Sequence, residues 1–225
     1  MMFTIIDAIA FSWFIFCWLG CSVLIFICKK RAGNIYGVMH KYRLQWMENS
    51  AYRKDRSVDS IALGNIMKSV SFFASTAILI TAALIPLLGY GNKASIFIAS
   101  LPNTVNNISP IWEIKTLLLI IIFTYAFFKY SWALRQYHYA SVMILSTKYY
   151  TSPDKAAQSN INRNANILSN AAKHFSTGIR SYYYAIAVLS WYLTPYLFIA
   201  STSLVIIIVI RREFMSKALN ILSNS

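Results

Sequence analysis

Acidic residues are scarce in this sequence, which has 7 Asp and Glu against 21 Lys and Arg in 225 residues. Most of the acids lie between the hydrophobic stretches, so we expect no pair of carboxylates that relays protons within a membrane. Charged residues make up only 12% of the chain, about half the fraction usual in soluble domains. A chain that is 57% hydrophobic cannot hide its apolar surface in one globular core. The composition therefore predicts an integral membrane protein.

Residues that bind metals or form disulfides are also few. Cys17, Cys21 and Cys28 all lie in the first hydrophobic stretch, and the three histidines lie in or beside predicted loops. The cysteine spacings place them near one helical stripe, where they serve as small residues at a helix contact. We expect no disulfide, no metal site and no cofactor.

Catalytic motifs are missing as well. The sequence has no Gly-rich phosphate loop, no HExxH and no nucleophile elbow. The net charge of +14 comes without a nucleic-acid-binding motif, so the basic residues are interpreted as those of cytoplasmic loops. We therefore predict no catalytic residue, no enzyme and no nucleic-acid partner.

Four hydrophobic stretches are each long enough to cross a bilayer. The predicted fold is all-α, an integral membrane bundle of four transmembrane helices with additional amphipathic cytoplasmic helices in a single domain, residues 1–225. The predicted spans are residues 3–28, 61–90, 116–134 and 182–210, with cytoplasmic loops 29–59 and 135–180 and an external loop 91–115.

The distribution of Lys and Arg predicts the orientation. The basic residues concentrate in the two loops 29–59 and 135–180, which places these loops in the cytoplasm and the N-terminus outside the inner (plasma) membrane. An even number of crossings then leaves the basic C-terminal tail outside, against the usual bias. The competing topology has a broken or re-entrant last helix that returns this tail to the cytoplasm.

Local patterns predict further helical features. Residues 38–47 have apolar residues at helical spacing, which is typical either of a helix on the membrane surface or of a packed cytoplasmic helix. Ser152 is expected to cap an amphipathic helix that Gly178 ends. Pro195 is expected to kink the last span, since it has no backbone N–H.

Basic residues near the ends of the spans are the candidate site residues. Lys68 and Lys129 are placed to anchor their helices at the cytoplasmic interface or to act in a mechanism, and Arg135 and Arg180 follow in the second loop. Glu213 is expected to form a local ion pair with Arg212. The predicted contacts to lipid head groups are Lys29, Lys30, Arg31, Arg211 and Arg212.

Four segments resemble the family named domain of unknown function 599. They are Phe72-Phe73-Ala74-Ser75-Thr76, residues 127–137, Gly178-Ile179-Arg180-Ser181-Tyr182-Tyr183-Tyr184 and Arg211-Arg212-Glu213-Phe214. The resemblance implies a multi-pass membrane protein of the kind found in bacteria and plants, and it implies no activity. The chain departs from the pattern at Ser176-Thr177, where an Asn-Arg pair is expected.

Two functions fit these features. The first is a non-enzymatic structural or accessory component that binds other membrane subunits or anionic lipids through its basic loops. The alternative is a small transporter or channel with a basic cytoplasmic vestibule, which would have to be a homo-oligomer because four helices seldom enclose a path.

Overall fold

The structure, a computed structural model, describes residues 5–28, 35–89, 110–215, 219 and 221–222, and the described residues form a bundle of six α-helices. No strand occurs among these residues, and the all-α prediction is confirmed. A 3₁₀ turn, Ile85–Gly89, extends the third helix. The helices are α1 Ile5–Cys28, α2 Ile35–Ala51, α3 Ser57–Leu84, α4 Pro110–Ser146, α5 Lys155–Ser190 and α6 Pro195–Phe214.

Three helical segments are long and apolar enough to cross a membrane. They are Ile5–Ile25, Ser57–Gly89 and Ile111–Ser146. They correspond to the first three predicted spans, and they identify the chain as a membrane protein. The fourth predicted span, residues 182–210, is divided between α5 and α6.

The two longest helices, α4 and α5, run antiparallel along the centre of the bundle. Lys115 contacts Trp191 near one end, and the ring centroids of Tyr130 and Phe175 lie 5.7 Å apart further along. Helices of 37 and 36 residues are about 55 Å long, whereas the apolar part of a bilayer is about 30 Å thick.

Residues 135–180 were predicted to be a cytoplasmic loop that contains an amphipathic helix, and the structure shows more helix in this segment than was expected. They comprise the last turns of α4, a short connection and most of α5. The helix continues because its buried stripe continues past Arg135: Tyr137, Ala140 and Ile144 follow at spacings of three and four. Arg56 then ends α4 by donating to the carbonyl oxygens of Ile144 at 3.0 Å and Lys148 at 3.2 Å.

The ends of α5 also differ from the prediction. Asp154, not Ser152, caps its first turn by accepting a hydrogen bond from the Ala157 backbone N–H. Gly178 lies inside the helix and does not end it. A Cβ on Gly178 would lie only 2.5 Å from the ring of Tyr130, so this glycine permits close packing of α4 on α5.

A sharp turn at residues 191–194 separates α5 from α6. Thr194 accepts a hydrogen bond from the Leu197 N–H at 3.2 Å, and Pro195 occupies the first turn of the new helix. The rings of Trp191 and Phe198 stack with centroids 4.8 Å apart. The helix therefore restarts in a new direction, because a capping hydroxyl and a proline coincide, where the sequence suggested only a kink.

The two helices form an antiparallel hairpin. Arg180, ten residues before the end of α5, pairs with Glu213 in the last turn of α6 at 2.7 Å. Tyr183 accepts a hydrogen bond from Arg212. The end of α6 thus returns to the level of Arg180.

The remaining helices pack on the outside of the central pair. Phe14 of α1 contacts both Tyr184 of α5 and Phe198 of α6, and Phe73 of α3 stacks on Tyr130 of α4. The helix α2 packs against α5, from Ser169 beside His40 to Arg180 beside Tyr36. Residues 38–47 belong to α2, and most of their side chains are half-buried.

Candidate functional site

A cavity of about 310 Å³ lies where α2, α5 and α6 meet. We call it the arginine cavity because Arg43, Arg180 and Arg212 line it, together with one acid, Glu213. One residue of each helix thus contributes a guanidinium group. The apolar part of the wall includes Ile35, Met39, Phe175, Ile179 and Val209.

Arg180 is the most firmly held of the three arginines. Its Nη1 donates to Glu213 Oε1 at 2.7 Å and to the Tyr36 hydroxyl at 2.9 Å, and its Nη2 donates to Thr177 Oγ1 at 3.0 Å. The side chains of Arg180 and Glu213 are only 14% and 12% exposed. A guanidinium has five N–H donors, so these bonds use three of them and fix its plane.

Arg43 is half-buried and pairs with no acid among the residues that the structure describes. Its Nη1 lies 3.4 Å from Ser169 Oγ, which also contacts His40 Nδ1 at 2.8 Å. Burial lowers the pKa of Arg43 from its ordinary value, and the nearby Tyr137 opposes this shift. The group stays protonated at physiological pH, so it brings an uncompensated positive charge to the cavity.

Arg212 forms the exposed rim of the cavity. It donates to the Tyr183 hydroxyl, and its guanidinium carbon lies 5.7 Å from the centroid of the same ring. This aromatic contact orients the guanidinium without neutralising its charge.

The net charge of the cavity is positive, which favours binding of an anion. Three guanidinium groups and one carboxylate sum to two positive charges within one small volume. Guanidinium groups bind carboxylates and phosphates through paired N–H donors, and partial burial strengthens these bonds. The cavity therefore has the charge and the hydrogen-bond donors to bind an anion.

Only some of the predicted site residues come together here. Arg180 and Arg212 line the cavity, whereas Lys68, Lys129 and Arg135 do not. Lys129 is half-buried with its Nζ 5.1 Å from the ring centroid of Tyr125. Arg135 is exposed and lies 5.8 Å from the ring of Trp132, and Lys68 is exposed on α3.

Two of the predicted contacts to lipid head groups, Arg211 and Arg212, lie in the last turn of α6. Arg211 is exposed in the last turn of α6 next to the cavity residue Arg212. Lys29, Lys30 and Arg31 lie outside the described residues.

Sequence reasoning missed Arg43 and Tyr36, and it misassigned Glu213. The local partner predicted for Glu213 was Arg212, but its partner is Arg180, 33 residues away in the sequence. Arg43 was one of several basic residues of the first segment, and nothing in its spacing singled it out. Only the packing of α2 on α5 brings it to the cavity.

Thr177 shows what the departure from the family pattern means locally. Its hydroxyl accepts from Arg180 Nη2, and its neighbour Ser176 lines the cavity. An arginine at position 177 would add a cation beside Arg180, so this chain has a less basic cavity than the pattern implies.

A second group of buried polar residues lies at the far end of α5. Trp191 Nε1 donates to Asp7 Oδ1 at 2.9 Å, and Lys115 Nζ donates to the Trp191 carbonyl oxygen at 2.7 Å. Asp7, Lys115 and Trp191 are all less than 10% exposed. Lys115 was predicted to lie in the external loop, but α4 begins at Pro110 and buries it between aromatic rings. We call this group the Asp7 cluster.

Metal ligands do not gather anywhere in the described part of the chain. No three His, Cys, Asp or Glu side chains there lie close enough to hold an ion. Cys17 and Cys21 are buried free thiols on α1. The chemistry of the described residues thus centres on the cations of the arginine cavity.

Comparison with known proteins gives one result. No curated protein and no solved structure matches the chain significantly. A family model described as "Protein of unknown function, DUF599" matches residues 9–218, which is nearly the whole chain. The bundle and its arginine cavity therefore belong to a member of the DUF599 family.

Proposed function

We propose that the protein is a non-enzymatic accessory component of the inner (plasma) membrane that binds an anionic group at its cytoplasmic side. The observation that carries this proposal is the arginine cavity, in which Arg43 and Arg212 add two charges beyond the internal pair of Arg180 and Glu213. Arg43 is half-buried and Arg212 is exposed at the rim, and a partly buried cation without an acidic partner favours a ligand or subunit that brings negative charge. An anionic lipid or an acidic group of another membrane subunit supplies that charge.

The proposed topology places this cavity at the cytoplasmic surface of the membrane. The helices α1, α3 and α4 cross the membrane with the N-terminus outside, and the hairpin of α5 and α6 enters from the cytoplasm and returns to it. The contact of Arg180 with Glu213 supports this path, because it keeps the end of α6 near α2. Arg211 and Arg212 then lie inside, in agreement with the usual bias of basic residues.

Binding of inorganic phosphate to the purified protein tests the proposal. The double variant Arg43→Gln/Arg212→Gln is expected to weaken binding about tenfold or more, because it removes two charge-assisted donors. Equilibrium dialysis with labelled phosphate measures the affinity. Neither substitution leaves a buried acid without its partner, since Glu213 keeps Arg180.

Arg135→Gln/Arg163→Gln is the matched control. It removes the same charge from two exposed positions outside the cavity, so we expect less than a twofold change. Equal losses in both double variants would reduce the effect to net charge and would refute a specific site.

A small transporter is the second candidate, and the arginine cavity and the Asp7 cluster, which contact α5 at two levels, favour it. About 16 Å of helix separates Arg180 from Trp191. The buried hydroxyl residues Tyr184 and Thr202 lie between these levels. Burial of such a series of polar groups in a membrane costs free energy, and it is typical of a path for ions.

Flux measurements separate the two candidates. Under the transport hypothesis, liposomes with the protein move an anion such as phosphate or chloride, and Asp7→Asn slows the flux. Under the accessory hypothesis, no anion moves under either a concentration gradient or a membrane potential, although phosphate binds.

A further inference from the structure

In the proposed topology, the arginine cavity lies at the depth of the phosphates of the cytoplasmic leaflet. The Tyr182 hydroxyl donates to the carbonyl oxygen of Phe73 at 3.1 Å, which aligns α5 with α3. Lys68 precedes Phe73 by five residues and marks the cytoplasmic end of the apolar part of α3. Arg180 precedes Tyr182 by two residues, so its level is within about one helical turn of Lys68. Phosphate groups of the cytoplasmic leaflet occupy this interfacial depth.

An exposed apolar surface begins directly beside the cavity. Ile208 lies one turn before Arg212 on α6 and is 41% exposed. Leu204 and Ile207 continue this surface along α6, away from the cavity, and are 59% and 63% exposed. A molecule with its anion at Arg212 can therefore extend an apolar chain along α6 into the membrane.

The internal carboxylate occupies only part of the cavity. Glu213 accepts from Arg180 and lies 3.4 Å from the Tyr36 hydroxyl, while Arg43 and Arg212 form no salt bridge among the described residues. The remaining two cations match a phosphate group in charge, and their guanidinium groups match it in geometry.

We propose that the arginine cavity binds the phosphate of an anionic membrane phospholipid, whose acyl chains lie along Leu204, Ile207 and Ile208 of α6. This inference rests on the proposed anion binding and names the ligand class. A free phosphate makes the same contacts with Arg43 and Arg212, but it has no acyl chain that could pack against α6. The acyl chains add affinity by burying apolar surface.

Native mass spectrometry of the full-length protein in detergent tests the inference. The probes are dioctanoyl phosphatidic acid, dioctanoyl phosphatidylcholine, glycerol 3-phosphate and inorganic phosphate, each titrated separately. We expect phosphatidic acid to bind at least tenfold more tightly than glycerol 3-phosphate and than phosphatidylcholine. Arg43→Gln/Arg212→Gln should weaken its binding at least tenfold, and Arg135→Gln/Arg163→Gln should leave it within twofold.

Glu213→Gln is a second variant whose expected effect has the opposite sign. It removes the competing carboxylate and raises the net charge of the cavity, so phosphatidic acid should bind several-fold more tightly. Misfolding cannot produce such a gain. Glu48→Gln, which removes an exposed acid of α2 outside the cavity, should change nothing.

The outcomes distinguish the inference from the proposed function. If glycerol 3-phosphate and inorganic phosphate bind as tightly as phosphatidic acid, and the arginine variants abolish both, the site binds a free anion and the lipid inference is overturned. If neither lipid nor phosphate depends on Arg43 and Arg212, the proposed function fails as well. Preference for the lipid together with dependence on both arginines supports both.

Discussion

Individual basic residues of this chain have roles that depend on their neighbours more than on their position along a span. Lys129 lies inside an apolar stretch, which made it a candidate either for anchoring its helix or for a mechanism, and its amine lies by the Tyr125 ring on its own helix. Arg180 stood at the border of a predicted loop and is 14% exposed in a network with Glu213 and Tyr36. Long-range partners thus decide which cation is part of a site.

Gly178 offers a test at the scale of one residue. A Cβ there would lie 2.5 to 2.8 Å from three ring atoms of Tyr130, which is fully buried between helices. We expect Gly178→Ala to lower the free energy of unfolding by about 1–3 kcal/mol, because the packed ring must shift. Thermal unfolding of the purified protein in detergent measures the change.

The matched control is Gly64→Ala. Nothing lies within 4 Å of the position that its Cβ would occupy, and alanine favours the helical state of α3. Its melting temperature should stay the same or rise slightly. Equal melting temperatures for the two variants would contradict close packing at Gly178.

At the scale of the elements, the division of the last hydrophobic segment has the largest consequence. Residues 182–210 fit one long crossing by composition, but Thr194 and Pro195 start a new helix that folds back on α5. The final basic residues therefore lie beside Arg180 and not at the opposite end of the bundle.

Reporter fusions in a bacterial host test the hairpin. A fluorescent protein fused after Ser225 is expected to fold and fluoresce, because the proposed topology returns the C-terminus to the cytoplasm. Alkaline phosphatase fused at the same point should be inactive, since it needs the oxidising exterior.

Two further fusion points calibrate this assay. A fusion at residue 106, between α3 and α4, should show active phosphatase, and one at residue 53 should show fluorescence. An active phosphatase after Ser225 would refute the hairpin and restore a single crossing by the last segment.

At the scale of the whole molecule, α5 connects two polar groups that lie at different levels of the bundle. The Asp7 cluster ties together α1, α4 and the end of α5, while the arginine cavity ties together α2, α5 and α6. The exposed residues between them include many large apolar side chains, as expected of a surface in contact with lipid or other membrane helices.

The accessory hypothesis predicts the mass of the native assembly. Gentle extraction with lipids retained, followed by native mass spectrometry, should yield a complex that contains a foreign membrane subunit in fixed stoichiometry. The Arg43→Gln/Arg212→Gln variant shows where the foreign subunit binds. If the variant loses the subunit, the subunit binds at the arginine cavity. If the variant retains the subunit, the subunit binds elsewhere. A closed homo-oligomer without a foreign subunit would instead favour transport, because symmetry then completes a path.

The sequence by itself determined that this is a membrane protein, and it determined the helical class, the first three candidate spans and the family. Each of these follows from local properties: apolar composition, the length of uncharged runs and short motifs. Thr194 and Pro195 are local sequence signals for the start of α6. The direction of this helix has no such signal in the sequence.

Only the tertiary structure decided which charges meet. Arg43, Arg180 and Glu213 come from three helices, and the segments between them are long enough to permit many arrangements. The buried continuation of α4 past Arg135 and the close contact of Gly178 with Tyr130 are likewise properties of a helix pair. A site that is assembled from distant residues depends on packing, since the free energy of each contact exists only when both partners are in place.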